Sequence, residues 1–163
     1  KKAKFTLTQH QVEALTWLTG NIKGGIIYGK HGPYPFSYEI GDVQQDVKAR
    51  IDSNHSLHFD INVQTSGRLS EDWETSKQAL AASNVKNTEK KIEKIIRKDA
   101  EKTLRLLQNN YKADVLDLHN YVRIHHPHFW KKHQHEWDEI FSQSTIDYHV
   151  DVQIKDFGTQ GRD

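Results

Sequence analysis

The chain has no cysteine, no methionine and no long apolar run. Zero cysteine excludes disulfides, thiolate zinc sites, iron–sulfur clusters and thiol nucleophiles in one step. It also suits an exported protein that avoids stray thiols. Zero methionine leaves no initiator, so the chain is expected to be a processed piece of something longer. No apolar stretch approaches the roughly 18 residues of a membrane span. Lys1-Lys2-Ala3-Lys4 leads straight into a helix pattern without a signal peptide. An excess of one charge is lacking too. Lys and Arg number 23 against 22 Asp and Glu, and a net charge of +1 gives no overall pull toward nucleic acid or anionic lipid. A mean hydropathy of −0.84 puts the chain at the polar edge of the globular range. Its aliphatic and aromatic residues still exclude disorder. At 163 residues, one domain with one core is expected over 1–163.

What is present reads as alternating structure types. Thr8 and Gln11 fit a capping box, Leu7 and Val12 a hydrophobic staple, and Gly20 a left-handed C-terminal cap. With Val12, Leu15 and Leu18 at helical spacing, a helix is expected over 9–19. From Ile22 to Leu69 the period becomes two. Short strands are expected at Ile22–Gly29, Tyr34–Ile40 and Val43–Ile51, and the clearest one sets Leu57, Phe59, Ile61 and Val63 against His58, Asp60, Asn62 and Gln64. Residues 70–86 read as a polar connection around Trp73 and Leu80. A long helix is expected from Thr88 to Tyr111, its core stripe formed by Ile92, Ile96, Thr103 and Leu107. A second fits Val115–His125, and a third, starting at Pro127, carries Trp130, Trp137 and Phe141 on one face. Ile146, Tyr148, Val150, Val152 and Ile154 alternate as a closing strand. The expected fold is α+β: an antiparallel sheet of four to five strands, packed on one face by three to four helices including one long one.

Several segments invite chemistry and fall short of it. Gly24–His31 is close to a phosphate loop, but His31 stands where Ser or Thr would ligate Mg²⁺, and Ile26, Ile27 and Tyr28 prefer a strand. Eleven histidines suggest metal, notably His125-His126-Pro127-His128 and His133-Gln134-His135. His128 and His135 lie about 10.5 Å apart along a helix, too far to share an ion. His133 and His135 point to different sides, which leaves only His135 with Glu139 at chelating spacing. No G-x-S-x-G elbow is present. Asp147 and Asp151 flanking His149 read as a wet sheet face, and Asn54-His55-Ser56 is a glycosylation sequon, relevant only in a glycosylating pathway. Trp17, Trp130 and Trp137 sit on apolar faces as core residues. No catalytic residue, cofactor or metal site is expected.

The one concentrated charge feature is a basic row at Lys91, Lys94, Lys98, Lys102 and Arg105. Residues 86–105 hold eight basic and four acidic side chains. A solvated face is the simplest reading of such a row. A contact with anionic lipid, peptidoglycan or an acidic partner is the functional one.

Two stretches together carry a resemblance. Leu15-Thr16-Trp17-Leu18-Thr19-Gly20-Asn21-Ile22-Lys23-Gly24-Gly25-Ile26-Ile27 is the first. The second is the Lys/Glu helix leading to Tyr111-Lys112-Ala113-Asp114-Val115, then Pro127-His128-Phe129-Trp130-Lys131-Lys132, Glu136-Trp137-Asp138-Glu139-Ile140-Phe141 and the closing strand through Lys155 and Gly158. The chain resembles the C-terminal domain of the Ger(x)C family, the lipoprotein C subunits of bacterial spore germinant receptors. The ordered set Asp114, Pro127, Trp130, Trp137 and Phe141 is the most specific part. The resemblance implies a three-domain lipoprotein whose lipidated Cys and first two domains lie outside this sequence. It further implies a place on the outer surface of the spore inner membrane, beside two integral-membrane subunits, and a part in the response to nutrient germinants. Leu116-Asp117-Leu118 departs from the Phe-Gly turn frequent in the family, and the histidines are not part of the family pattern. Two function classes follow: a non-enzymatic interaction module, or a domain that binds or hydrolyses cell-wall or small-molecule substrates.

Overall fold

The computed structural model describes residues 6–72 and 82–160. In chain order it contains α1 (Gln9–Thr19), β1 (Ile26–His31), β2 (Tyr34–Ile51), β3 (Leu57–Asp72) and α2 (Ala82–Arg105), which runs on into a π-helical turn (Leu106–Tyr111). Three short helices follow, α3 (His119–His125), α4 (Pro127–His133) and, after a 3-10 turn at Gln134–Glu136, α5 (Trp137–Gln143), before β4 (Thr145–Gln160).

Local signals set the first helix to the residue. Thr8 Oγ1 accepts from the Gln11 amide at 3.2 Å, while Gln11 Oε1 accepts from the Thr8 amide at 2.9 Å. This reciprocal pair satisfies two of the orphan donors that every helix start exposes. Gly20 ends the helix at φ 72°, and a side chain there would run into Gln45. Gln45 itself donates to the Leu18 carbonyl, tying the end of α1 to β2. The buried face is Ala14, Trp17 and Leu18, whereas Val12, assigned from sequence to the apolar stripe, is 49% exposed.

The sheet runs β1-β2-β3-β4. β1 pairs antiparallel with β2, and β2 with β3. The stretches expected as two strands, Tyr34–Ile40 and Val43–Ile51, are one strand of 18 residues with a bulge at Gly41. The extra residue flips the side-chain phase. Phe36, Tyr38 and Ile40 face the helices before it; Val43, Val47, Ala49 and Ile51 do so after it. Gly67 lies opposite Ile40, where an added Cβ would overlap the Glu39 carbonyl and the Tyr38 ring.

β4 corrects the expectation of a wholly antiparallel sheet: it joins β3 in parallel, Thr145 beside His58 and Asp147 beside Asp60. The α+β class, the four strands, the single covered face and the long helix all stand. The reason for the parallel joint is the intervening helices. The 24 residues of α2 span about 36 Å at helical rise. They carry the chain back along the sheet, so the last strand starts at the same end as β3.

Phe59, Ile61 and Val63 of β3 pack with Ile92, Ile96, Ala100 and Leu107, with Val122 and Phe141 from the short helices, and with Tyr148 and Val152. Each fully buried side chain of this kind stabilises by about 1.5–3 kcal/mol. The third helix expected from Pro127 is instead three short pieces that keep Trp137 and Phe141 buried and Trp130 half-buried. The polar connection expected over 70–86 splits: 70–72 finish β3, Trp73 and Leu80 lie outside the described residues, and α2 has begun by Ala82.

The far side of β4 is partly covered. Glu93 Oε1 accepts from the Val152 amide at 3.1 Å and Glu89 Oε2 from the Ile154 amide at 2.8 Å. Two carboxylates of α2 thus occupy backbone donors that another strand would use. No helix among the described residues is long and apolar enough to cross a membrane.

Candidate functional site

The basic row lies on α2 because that helix has a single apolar stripe. Ile92, Ile96, Ala100, Thr103 and Leu104 are buried, which leaves Lys91, Lys94, Lys98, Lys102 and Arg105 exposed on the other side. The spacing groups these five on one face, and the fold then divides them.

Lys91 belongs to the β1 end. Its Nζ donates to the Lys30 carbonyl at 3.4 Å and lies 3.2 Å from His31 Nδ1. An ammonium can only donate, so Nδ1 accepts and the ring proton resides on Nε2, which donates to Thr88 Oγ1 at 2.8 Å. Burial first, and the Lys91 charge second, push the His31 pKa down. His31, read from sequence only against a phosphate loop, therefore anchors the start of α2 to the sheet edge as a neutral imidazole.

Lys98, Lys102 and Arg105 gather at the other end. Together with Thr8 and His10 of α1 they line a groove of about 840 Å³ between the two helices. Asn109 and Asn110 also line it, and Asp99, which had no evident partner in sequence, is half-buried within it. Three cations at successive turns, with one carboxylate among them, make an electropositive groove lined by amides and hydroxyls. Lys94 is exposed and does not contribute to the lining.

The remaining candidates disperse. Gly24 and Gly25 take positive φ and lead into β1, which is the strand that Ile26, Ile27 and Tyr28 favour. Asp147, His149 and Asp151 are exposed on the open sheet face. Asn54 lies in an exposed turn where Asp52 accepts from the Asn54 and Ser56 amides and bonds His58 at 3.0 Å. Among the described residues no group of three His, Asp or Glu could hold a metal.

One arrangement escaped the sequence reading of function. The Asp114 carboxylate, 3% exposed, accepts from the amides of Leu118 and His119 and from Trp137 Nε1, at 3.0, 2.9 and 3.0 Å. It starts α3 at His119, so the helix expected from Val115 loses its first four residues to a turn in which Asp117 has φ 55°. His119 stacks on Trp130 with centroids 5.6 Å apart, and Trp130 meets Trp137 edge-on at 5.5 Å. An Asp five residues ahead of the helix start was the available signal.

Residues 1–158 match the family model described as spore germination B3/GerAC like, C-terminal. The chain belongs to this family. The match takes in the basic row, the Asp114 cluster and most of β4. The chain is 32% identical over 161 residues to spore germination protein YndF of Bacillus subtilis, covering 98% of this chain and 39% of that one. It is 36% identical over 157 residues to spore germination protein A3 of the same organism, covering 95% of this chain and 42% of that one. It superposes on the crystal structure of the GerBC protein with a TM-score of 0.82 at 31% identity, covering 91% of this chain and 46% of that one. The chain therefore spans about two-fifths of the length of the curated relatives it matches.

Proposed function

We propose that this chain is a non-enzymatic interaction module of a bacterial spore germinant receptor. On this reading it forms the C-terminal domain of a three-domain lipoprotein, anchored through a lipidated Cys outside this sequence at the outer surface of the spore inner membrane. Its partners are the two integral-membrane subunits of the receptor. Family membership and relatives that are spore germination proteins support the setting. The observation that carries the interaction role is the division of α2: Lys94, Lys98, Lys102 and Arg105 are exposed while the stripe behind them is wholly buried, so these cations are spare to the fold. The groove that Lys98, Lys102 and Arg105 line is suited to an acidic surface of a receptor subunit.

A second reading, a ligand-binding domain, is favoured by that same groove, whose volume falls in the range of small-molecule sites. Changing Lys94, Lys98 and Lys102 together to Glu in the full-length protein tests the first reading. The variant is expected to fold and reach the spore membrane at the normal level, to associate less with its partner subunits, and to slow nutrient germination. Normal association and normal germination would remove the face from consideration. Normal association with slowed germination would transfer the groove to a ligand.

A further inference from the structure

The surface built by α3 and α4 is unlike the α2 row and independent of it. From Leu118 to His135 the chain carries Arg123, Lys131 and Lys132 with six histidines, and not one Asp or Glu. Ile124 is 60% exposed in the middle of this stretch. Between α4 and the end of β2 lies a shallow depression of about 450 Å³. Its lining is graded by burial: Ile51 and Phe129 are half-buried, whereas His55, His125, His128 and Lys132 are exposed. The depression is therefore apolar within and cationic or hydrogen-bond-donating around its margin.

The surface is held firmly. His126 Nε2 lies 2.9 Å from the Ala49 carbonyl, which can only accept, so the imidazole donates and pins the α3–α4 junction to β2. Phe129 and His133 pack ring against ring at 4.6 Å. Neighbouring carboxylates are already committed: Asp52 to His58 and two backbone amides, Glu136 to His133 at 3.5 Å and His135 at 3.7 Å. Of the residues that line the depression, only Lys132 carries a fixed charge, and it is positive.

We infer that this depression docks an acidic peptide segment of a partner protein, one apolar side chain seated over Ile51 and Phe129 and flanking carboxylates meeting Lys132, His125 and His128. Concavity selects a peptide over a bilayer: a single side chain enters a depression of this size, and a planar headgroup surface does not. Charge complementarity selects an acidic segment over a neutral one.

The test uses the whole chain, ¹⁵N-labelled, and two synthetic peptides: a leucine flanked by two aspartates on each side, and the same peptide with asparagines. The acidic peptide is expected to shift the amide signals of Ile51, Phe129 and Lys132 saturably, and the asparagine peptide to bind at least fivefold more weakly. Lys132→Glu, an exposed change that leaves the core untouched, is expected to weaken the acidic peptide by a further fivefold or more. Equal binding of the two peptides would overturn the charge element of the proposal. No saturable shift at millimolar peptide would overturn it altogether, as would broadening of the same signals by phosphatidylglycerol vesicles and not by peptide.

Discussion

Trp137 donates its indole N–H to Asp114 at 3.0 Å, joining α5 to the carboxylate that starts α3. The same oxygen accepts from the His119 amide, and the other from Leu118. One buried side chain therefore positions two helices and the aromatic cluster between them. Asp114→Ala takes the acceptor from two backbone amides, the Trp137 indole and the His119 ring, and is expected to cost about 3–5 kcal/mol. Asp114→Asn keeps one oxygen for Trp137 and His119 and is expected to lose about half as much. Urea unfolding of the two variants measures the difference, and equal losses would show that shape rather than hydrogen bonding matters.

Trp137→Ala is expected to cost about 3–5 kcal/mol, the range for emptying a buried aromatic site. Its ring meets Phe59 of β3 edge-on at 6.4 Å, so the loss reaches the sheet. Unfolding within half a kcal/mol of the parent would mean that α5 is not docked.

Stability should also depend on pH through His31. Its folded pKa lies below the ordinary 6.5, because burial and Lys91 disfavour the charged ring. The unfolded chain then takes up the proton first as pH falls. The contribution is complete above about pH 6.5 and declines below it until the folded pKa is passed. His31→Gln is expected to flatten the change in urea midpoint between pH 7.5 and 5.5. An unchanged slope would remove His31 as its source. Asp52, held low by His58 and two backbone amides, contributes in a separate window and is lost only as pH falls below 3.8 toward its folded value.

Gly67→Ala is expected to cost about 3 kcal/mol or more, since the new methyl meets the Glu39 carbonyl of the neighbouring strand and the buried Tyr38 ring, neither of which can easily move aside. Gly24→Ala, at positive φ in open space, carries only backbone strain of about 1–2 kcal/mol. Thermal unfolding of the pair separates the two causes, and Gly67→Ala melting with or above Gly24→Ala would refute the overlap.

Where a signal was local, it was legible. Thr8 and Gln11 mark the start of α1 and Gly20 its end, and the alternation of 57–63 and 146–154 names the buried face of each strand correctly. Where a signal depended on a distant partner, it was not. The bulge at Gly41 breaks the period and makes one strand look like two. The direction of β4 is decided by how far α2 and the short helices carry the chain, which no period of two can encode. The basic row was visible as spacing along α2, but Lys91 leaves it for His31, a residue sixty positions earlier. Asp114 was visible in the family pattern without its task, because two of its partners are backbone amides that any sequence would supply and Trp137 lies 23 positions away.

The carboxylates of Glu89 and Glu93 along β4 have a consequence for association. Growth of a β-sheet from molecule to molecule needs two receptive edges on every copy, one to give and one to receive. Here the β4 edge presents acids in place of free amides at Val152 and Ile154, so strand addition there must first displace two carboxylates. Crowding many copies into a small area should therefore favour pairs over fibres.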